Sequence, residues 1–98
     1  MIVGKIVGNI VCTQKDENLV GKKMLLVQPL NVKSLEPQGS PVVALDAVGA
    51  GEGEVVLLVG GSSARLADNY STVPVDQAIV GILDSIDIEG KLIYKKQK

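Results

Sequence analysis

The chain has no histidine, phenylalanine or tryptophan, one cysteine and two tyrosines among 98 residues, and its only arginine is Arg65. Each scarcity removes a class of function. Without His, Ser-His-Asp and Cys-His catalysis are unavailable, and so is any His-containing zinc site. The lone Cys12 can form neither an internal disulfide nor a cysteine cluster. A chain this small from an oxidising compartment often carries several bridges, so a reducing cytoplasm is expected. A net charge of −1 and a pI of about 5.3 argue against a dedicated nucleic-acid binder, whose affinity rests on neutralising phosphates. Two tyrosines are also too few for a base-stacking platform. The longest apolar run, residues 55–61, falls far short of the ~20 residues a membrane helix needs. The apolar start MIVGKIVGNIV is interrupted by Lys5 and Asn9, and no small-residue cleavage site follows it. A soluble protein without a signal peptide is expected.

What is present is aliphatic and β-leaning. Hydrophobic residues make up 46% of the chain and mean hydropathy is +0.29. The aliphatic set is 15 Val and 8 Ile against 11 Leu, which favours strands over helices. One small module over residues 1–98 is expected. Such a domain buries only ~60–65% of the surface its unfolded chain exposes, so some apolar surface should remain after folding.

The apolar residues from Ile2 to Val11 fit helical spacing, but Gly4 and Gly8 would sit mid-helix and all six apolar residues are β-branched. A strand lined by Ile2, Ile6 and Ile10 is therefore preferred. Its glycines suggest close approach of another backbone or a tight bend. Further strands are expected at residues 23–30, 42–48, 54–59 and 78–83. Residues 85–88 and 91–94 can pair as a hairpin around Glu89 and Gly90. In the third strand Val42, Ala44 and Asp46 share one face, and the acid among apolar neighbours stands out. The run EVVLLV suggests a fourth strand buried on both faces. One short helix is expected over residues 62–69, capped by Ser62 or Ser63. Together these elements predict an all-β fold: a small five-stranded OB-like barrel with one short helix and a C-terminal hairpin or extension.

Candidate chemical sites are few. Gly49, Gly51 and Gly53 have the glycine density of a phosphate cradle, but they run into a strand, whereas a dinucleotide fingerprint opens a helix. A structural turn is the better reading. Residues 60–65 (GGSSAR) offer free N–H groups, two hydroxyls and a guanidinium, so an OB-type module binding an anion or metabolite there is the alternative function. The plainer reading has Ser capping the helix and Arg65 forking onto Asp46, Asp76 or Asp84. Asp84 with Asp87, and Glu52 with Glu54, read as solvated strand-end charges. Cys12 lacks an activating His, and Lys95, Lys96 and Lys98 read as a solvated terminus. No catalytic residue, cofactor or metal is expected.

Several stretches resemble a known family. Residues 1–15 (MIVGKIVGNIVCTQK), with Gly8, Val11, Thr13 and Lys15 in place, are followed by residues 21–29 (GKKMLLVQP). The most specific parts are residues 44–55 (ALDAVGAGEGEV) and 61–65 (GSSAR). Pro74, Asp76 and residues 79–84 (IVGILD) complete the match, while residues 85–98 follow it only loosely. The sequence is similar to the EutN/CcmL family, the small vertex proteins of bacterial microcompartments. That resemblance implies an OB-like barrel forming a homopentamer at the corners of a cytoplasmic protein shell, beside hexameric shell proteins, with no enzymatic activity. A six-fold ring stays open, since a heterologous interface closes at whatever rotation it imposes. It further implies that Asp46, Gly49, Gly51, Gly53 and Glu54 shape the central turn. Gly61, Ser62, Ser63, Ala64 and Arg65 would lie at or near the subunit interface.

Overall fold

The computed structural model describes residues 1–13, 21–61 and 76–97. Seven strands run through them: β1 (Ile2–Ile10), β2 (Met24–Pro29), β3 (Val42–Asp46), β4 (Val55–Gly60), β5 (Gln77–Ile82), β6 (Ser85–Ile88) and β7 (Lys91–Lys95). The first five close a barrel in the order β1-β2-β3-β5-β4, and β6 and β7 form a separate hairpin. β4 returns to β1 through Ile2–Leu58 to Lys5–Val55, which removes every open edge from the barrel. All barrel pairings are antiparallel except β3 with β5, a short parallel seam at Leu45–Ala78 and Asp46–Ile79. The expected barrel and C-terminal hairpin are both present. The helix expected over residues 62–69 lies outside the described residues.

The inside of the barrel is filled by Ile6, Leu25, Val27, Ala44, Ala50, Val56, Leu58 and Ile79, with Val42 and Ile82 packed against them. Each large side chain buried this way contributes about 1.5–3 kcal/mol relative to exposure. Alternation sends Leu45 and Ala78 to the other side of β3 and β5, where they gather Met24, Ala47, Val59 and Val80 into a second apolar cluster. β4 carries three buried positions close together, Val55, Val56 and Leu58, in line with a strand covered on both faces.

β1 departs from the simple expectation. Ile6 pairs with Val27 and Gly8 with Leu26, so Val7 is an extra residue that forms a β-bulge. The bulge inverts the alternation beyond it. Of the three isoleucines expected to line one face, Ile6 is 1% exposed, Ile2 is 46% exposed at the strand start, and Ile10 is only partly buried. Gly4 does mark a close approach. A Cβ there would stand 2.6 Å from Val27 Cγ1 and 3.2 Å from the Gln28 carbonyl oxygen. β5 is bulged as well: Leu57 pairs with Gly81 and Leu58 with Ile79, leaving Val80 as the extra residue.

Candidate functional site

The densest polar network among the described residues surrounds the connection from β3 to β4, residues 46–54. β3 ends at Asp46 rather than at Val48 because its carboxylate gathers the following backbone. Oδ1 accepts from the N–H of Val48 at 3.0 Å and of Gly49 at 3.1 Å, and Oδ2 accepts from Ala50 N–H at 2.8 Å. The carboxylate is only 1% exposed, and Lys23 Nζ stands 3.7 Å from Oδ2. Lys23 also donates to the Ala50 carbonyl at 2.8 Å. The acid that stood out in an apolar strand thus organises the turn that follows it.

The second half of the connection is tied in the same manner. Glu54 N–H donates to the Gly51 carbonyl at 3.1 Å, and Gly51 N–H donates to Glu54 Oε1 at 2.6 Å. Gly49 at φ +80° and Gly53 at φ +87° occupy the left-handed region, where a side chain is strained. Ala50 is fully buried in the barrel core and plugs the loop into it. Gly53 N–H to the Ile6 carbonyl and Ile6 N–H to the Glu54 carbonyl, at 2.8 and 3.0 Å, stitch the loop to β1.

Glu54 has one more partner, across the molecule. Lys96 Nζ lies 2.8 Å from its Oε2. The hydrogen bond from Lys96, assisted by the Gly51 amide, holds the Glu54 carboxyl below the usual range, and the same bond raises the Lys96 ammonium. Lys96 N–H also donates to the Asp84 carbonyl at 2.7 Å. The expectation of a merely solvated tail therefore fails at Lys96. Glu54 is likewise more than a solvated strand-end charge, while Glu52, Asp84 and Asp87 are exposed. Lys23 and Lys96 are the members that sequence reasoning missed. No local motif marks either one, since they meet their partners only once the barrel has closed.

Of the GSSAR stretch, Gly61 is described: it has φ +62°, and its N–H donates to the Asp76 carbonyl at 2.8 Å. Ser62, Ser63, Ala64 and Arg65 lie outside the described residues, and so does the proposed fork of Arg65. A depression of about 120 Å³ borders the central turn, lined by residues including Gly8, Lys23, Gly51 and Glu52. Among the described residues, Asp46 and Glu54 are engaged by backbone amides and lysines. The chemistry of such a network is to hold a backbone in shape.

A closed five-strand barrel with a buttressed β3–β4 turn defines a small structural module. The chain belongs to the family described as ethanolamine utilisation protein EutN/carboxysome, whose model matches residues 1–84. It is 41% identical to the bacterial microcompartment shell vertex protein EutN of Salmonella typhimurium, over 98% of this chain and 96% of the relative. The solved structure of Gloeobacter violaceus CcmL superimposes with a TM-score of 0.92 at 36% identity, covering 98% of both chains. The GrpN pentameric microcompartment shell protein of Rhodospirillum rubrum matches with a TM-score of 0.81 at 45% identity, over 90% of this chain and 99% of GrpN. The relatives' names describe structural shell proteins, not enzymes.

Proposed function

We propose that this chain is the vertex subunit of a bacterial microcompartment shell in the cytoplasm, acting as a homopentameric ring. The observation that carries this reading is the similarity to shell vertex proteins over nearly the whole of both chains. The mechanism is geometric. A flat lattice of hexameric shell proteins cannot close on itself, and a five-fold plug at each corner supplies curvature and seals the gap. Asp46, Gly49, Gly51, Gly53 and Glu54 serve this role by giving every copy the same rigid turn, because identical interfaces need identical backbones. Gly61, Ser62, Ser63, Ala64 and Arg65 form part of the contact between subunits, and hexameric shell proteins are the partners outside the ring. The apolar residues left exposed on the barrel, among them Val7, Val43 and Val48, are consistent with a surface covered on assembly.

Co-expression with hexameric shell proteins of the same source tests this. Closed polyhedral particles should form with the chain present and unsealed or elongated ones without it. Identical particles in both cases would overturn the proposal.

A further inference from the structure

The start of β4 grips both strands of the C-terminal hairpin where they meet the barrel. Leu83, the first residue after β5, donates its N–H to the Val55 carbonyl at 2.8 Å, which carries the β5–β4 ladder one step further. At Asp84 the chain leaves the barrel and enters β6. On the return, Lys96 follows β7 and donates its N–H to the Asp84 carbonyl at 2.7 Å, and its ammonium stands 2.8 Å from Glu54 Oε2. Two neighbouring residues, Glu54 and Val55, thus hold the outgoing chain by a backbone bond and the returning chain by a side chain.

Beyond this base the hairpin has little to hold it. Among the described residues, the extensive packing of β6 and β7 is with each other, and none of their apolar residues joins either buried cluster. Leu92 is 53% exposed. Without the Lys96 side chain, the arm would hang from the single outgoing strand and could pivot about residues 83–84. An exposed ion pair contributes little to the stability of a folded core. Here it decides a smaller matter, the angle of an arm that shares no buried cluster with its own barrel.

The pair is built for that task. Glu54 Oε1 accepts from Gly51 N–H at 2.6 Å, and Glu54 N–H donates to the Gly51 carbonyl at 3.1 Å, so Oε2 is aimed by the same turn that Asp46 shapes. Lys23 adds to the hold on the Glu54 charge, while Asp84, and Tyr94 when ionised, favour the charge on Lys96. The carboxyl is held below 4.5 and the ammonium above 10.5, so both are charged across the neutral range.

We propose that the Glu54–Lys96 pair is a latch that fixes the angle of the C-terminal hairpin to its own barrel, with residues 83–84 as the pivot. The latch lies within one chain and does not depend on the ring. It gives the β3–β4 turn a second consequence: the rigidity of residues 46–54 is passed on to an arm at the far end of the sequence.

The size of the effect follows from the length of the arm. β6 has four residues, so at ~3.4 Å per residue the tip stands about 15 Å from the pivot. A swing of about 20–30° carries that tip roughly 5–8 Å. Electron–electron double resonance between a spin label at Lys91→Cys on the tip and one on the barrel, placed in turn at the exposed Asn9→Cys and Lys33→Cys, reads the displacement in a Cys12→Ser background. Labelled chains are mixed with an excess of unlabelled ones so that only distances within a chain are measured, and circular dichroism monitors folding. The otherwise unaltered chain should give one narrow distance for each pair of labels. Lys96→Met should widen at least one of the two by roughly 5 Å or more. Glu54→Gln should do the same, and the two combined should go no further, since each removes the same bond. Lys96→Arg should keep the distances narrow. So should Lys95→Met, which makes the same change in net charge at an exposed neighbour. A Lys96→Met chain as narrow as the parent would overturn the latch, and so would equal widening in Lys95→Met.

Discussion

Replacing Asp46 with Ala probes the turn on which the vertex reading leans. The substitution removes an acceptor for three backbone N–H groups and the carboxylate facing Lys23. Val48 and Gly49 are exposed, so water can take over their N–H groups at a cost of a few tenths of a kcal/mol each. Ala50 is fully buried, and its orphaned N–H carries the full penalty of about 1–3 kcal/mol. The sum is about 3 kcal/mol, which for a domain of this size lowers Tm by roughly 12–24 °C. Asp46→Asn should recover about half of the loss, because its amide offers one oxygen where the carboxylate offers two. The assay is thermal and urea unfolding followed by circular dichroism at one fixed protein concentration, since assembly makes apparent stability concentration-dependent. An Ala variant within about 0.5 kcal/mol of the parent would refute the reasoning, as would an Asn variant as damaged as Ala.

Gly4→Ala should cost about 1–3 kcal/mol through the clash with Val27, and distinctly less in a Val27→Ala background, as a double-mutant cycle in urea would measure. Gly53→Ala meets nothing within 4 Å, so its cost of about 1–2 kcal/mol should come from the left-handed φ alone, and Gly53→Asn should be milder. Glu54 is held below the ordinary carboxylate value of 4.5, so its contribution is present above that pH and is lost as acid titrates the folded protein. Lys96 is raised above 10.5, so its share is present below that pH and fades in stronger base. Unfolding midpoints across pH should show both edges in the parent and neither in Glu54→Gln, where the acid has lost its charge and the lysine its partner.

Much of the fold could be read from β-branched composition and glycine placement, because both act locally. The strand bounds expected from the pattern lie within two residues of those observed, and the C-terminal hairpin turns at Glu89 and Gly90 as expected. The face of β1 could not be read, because the bulge at Val7 arises from pairing with β2 and leaves no mark in a stretch of alternating Val, Ile and Gly. The site followed the same division. Asp46 and the glycines at 49 and 53 are conspicuous in their own neighbourhood, where an acid in an apolar strand and a cluster of small residues signal a turn. Lys23 and Lys96 look like any surface lysine. They reach the turn from 23 and 42 residues away along the chain, through contacts that only barrel closure creates.

The central claim concerns assembly, and the mass of the intact particle tests it most directly. Native mass spectrometry of the purified chain should return a closed species of five times the 10.3 kDa subunit mass. A chain that stays monomeric at every concentration, or one that forms only rings of another number, would contradict it.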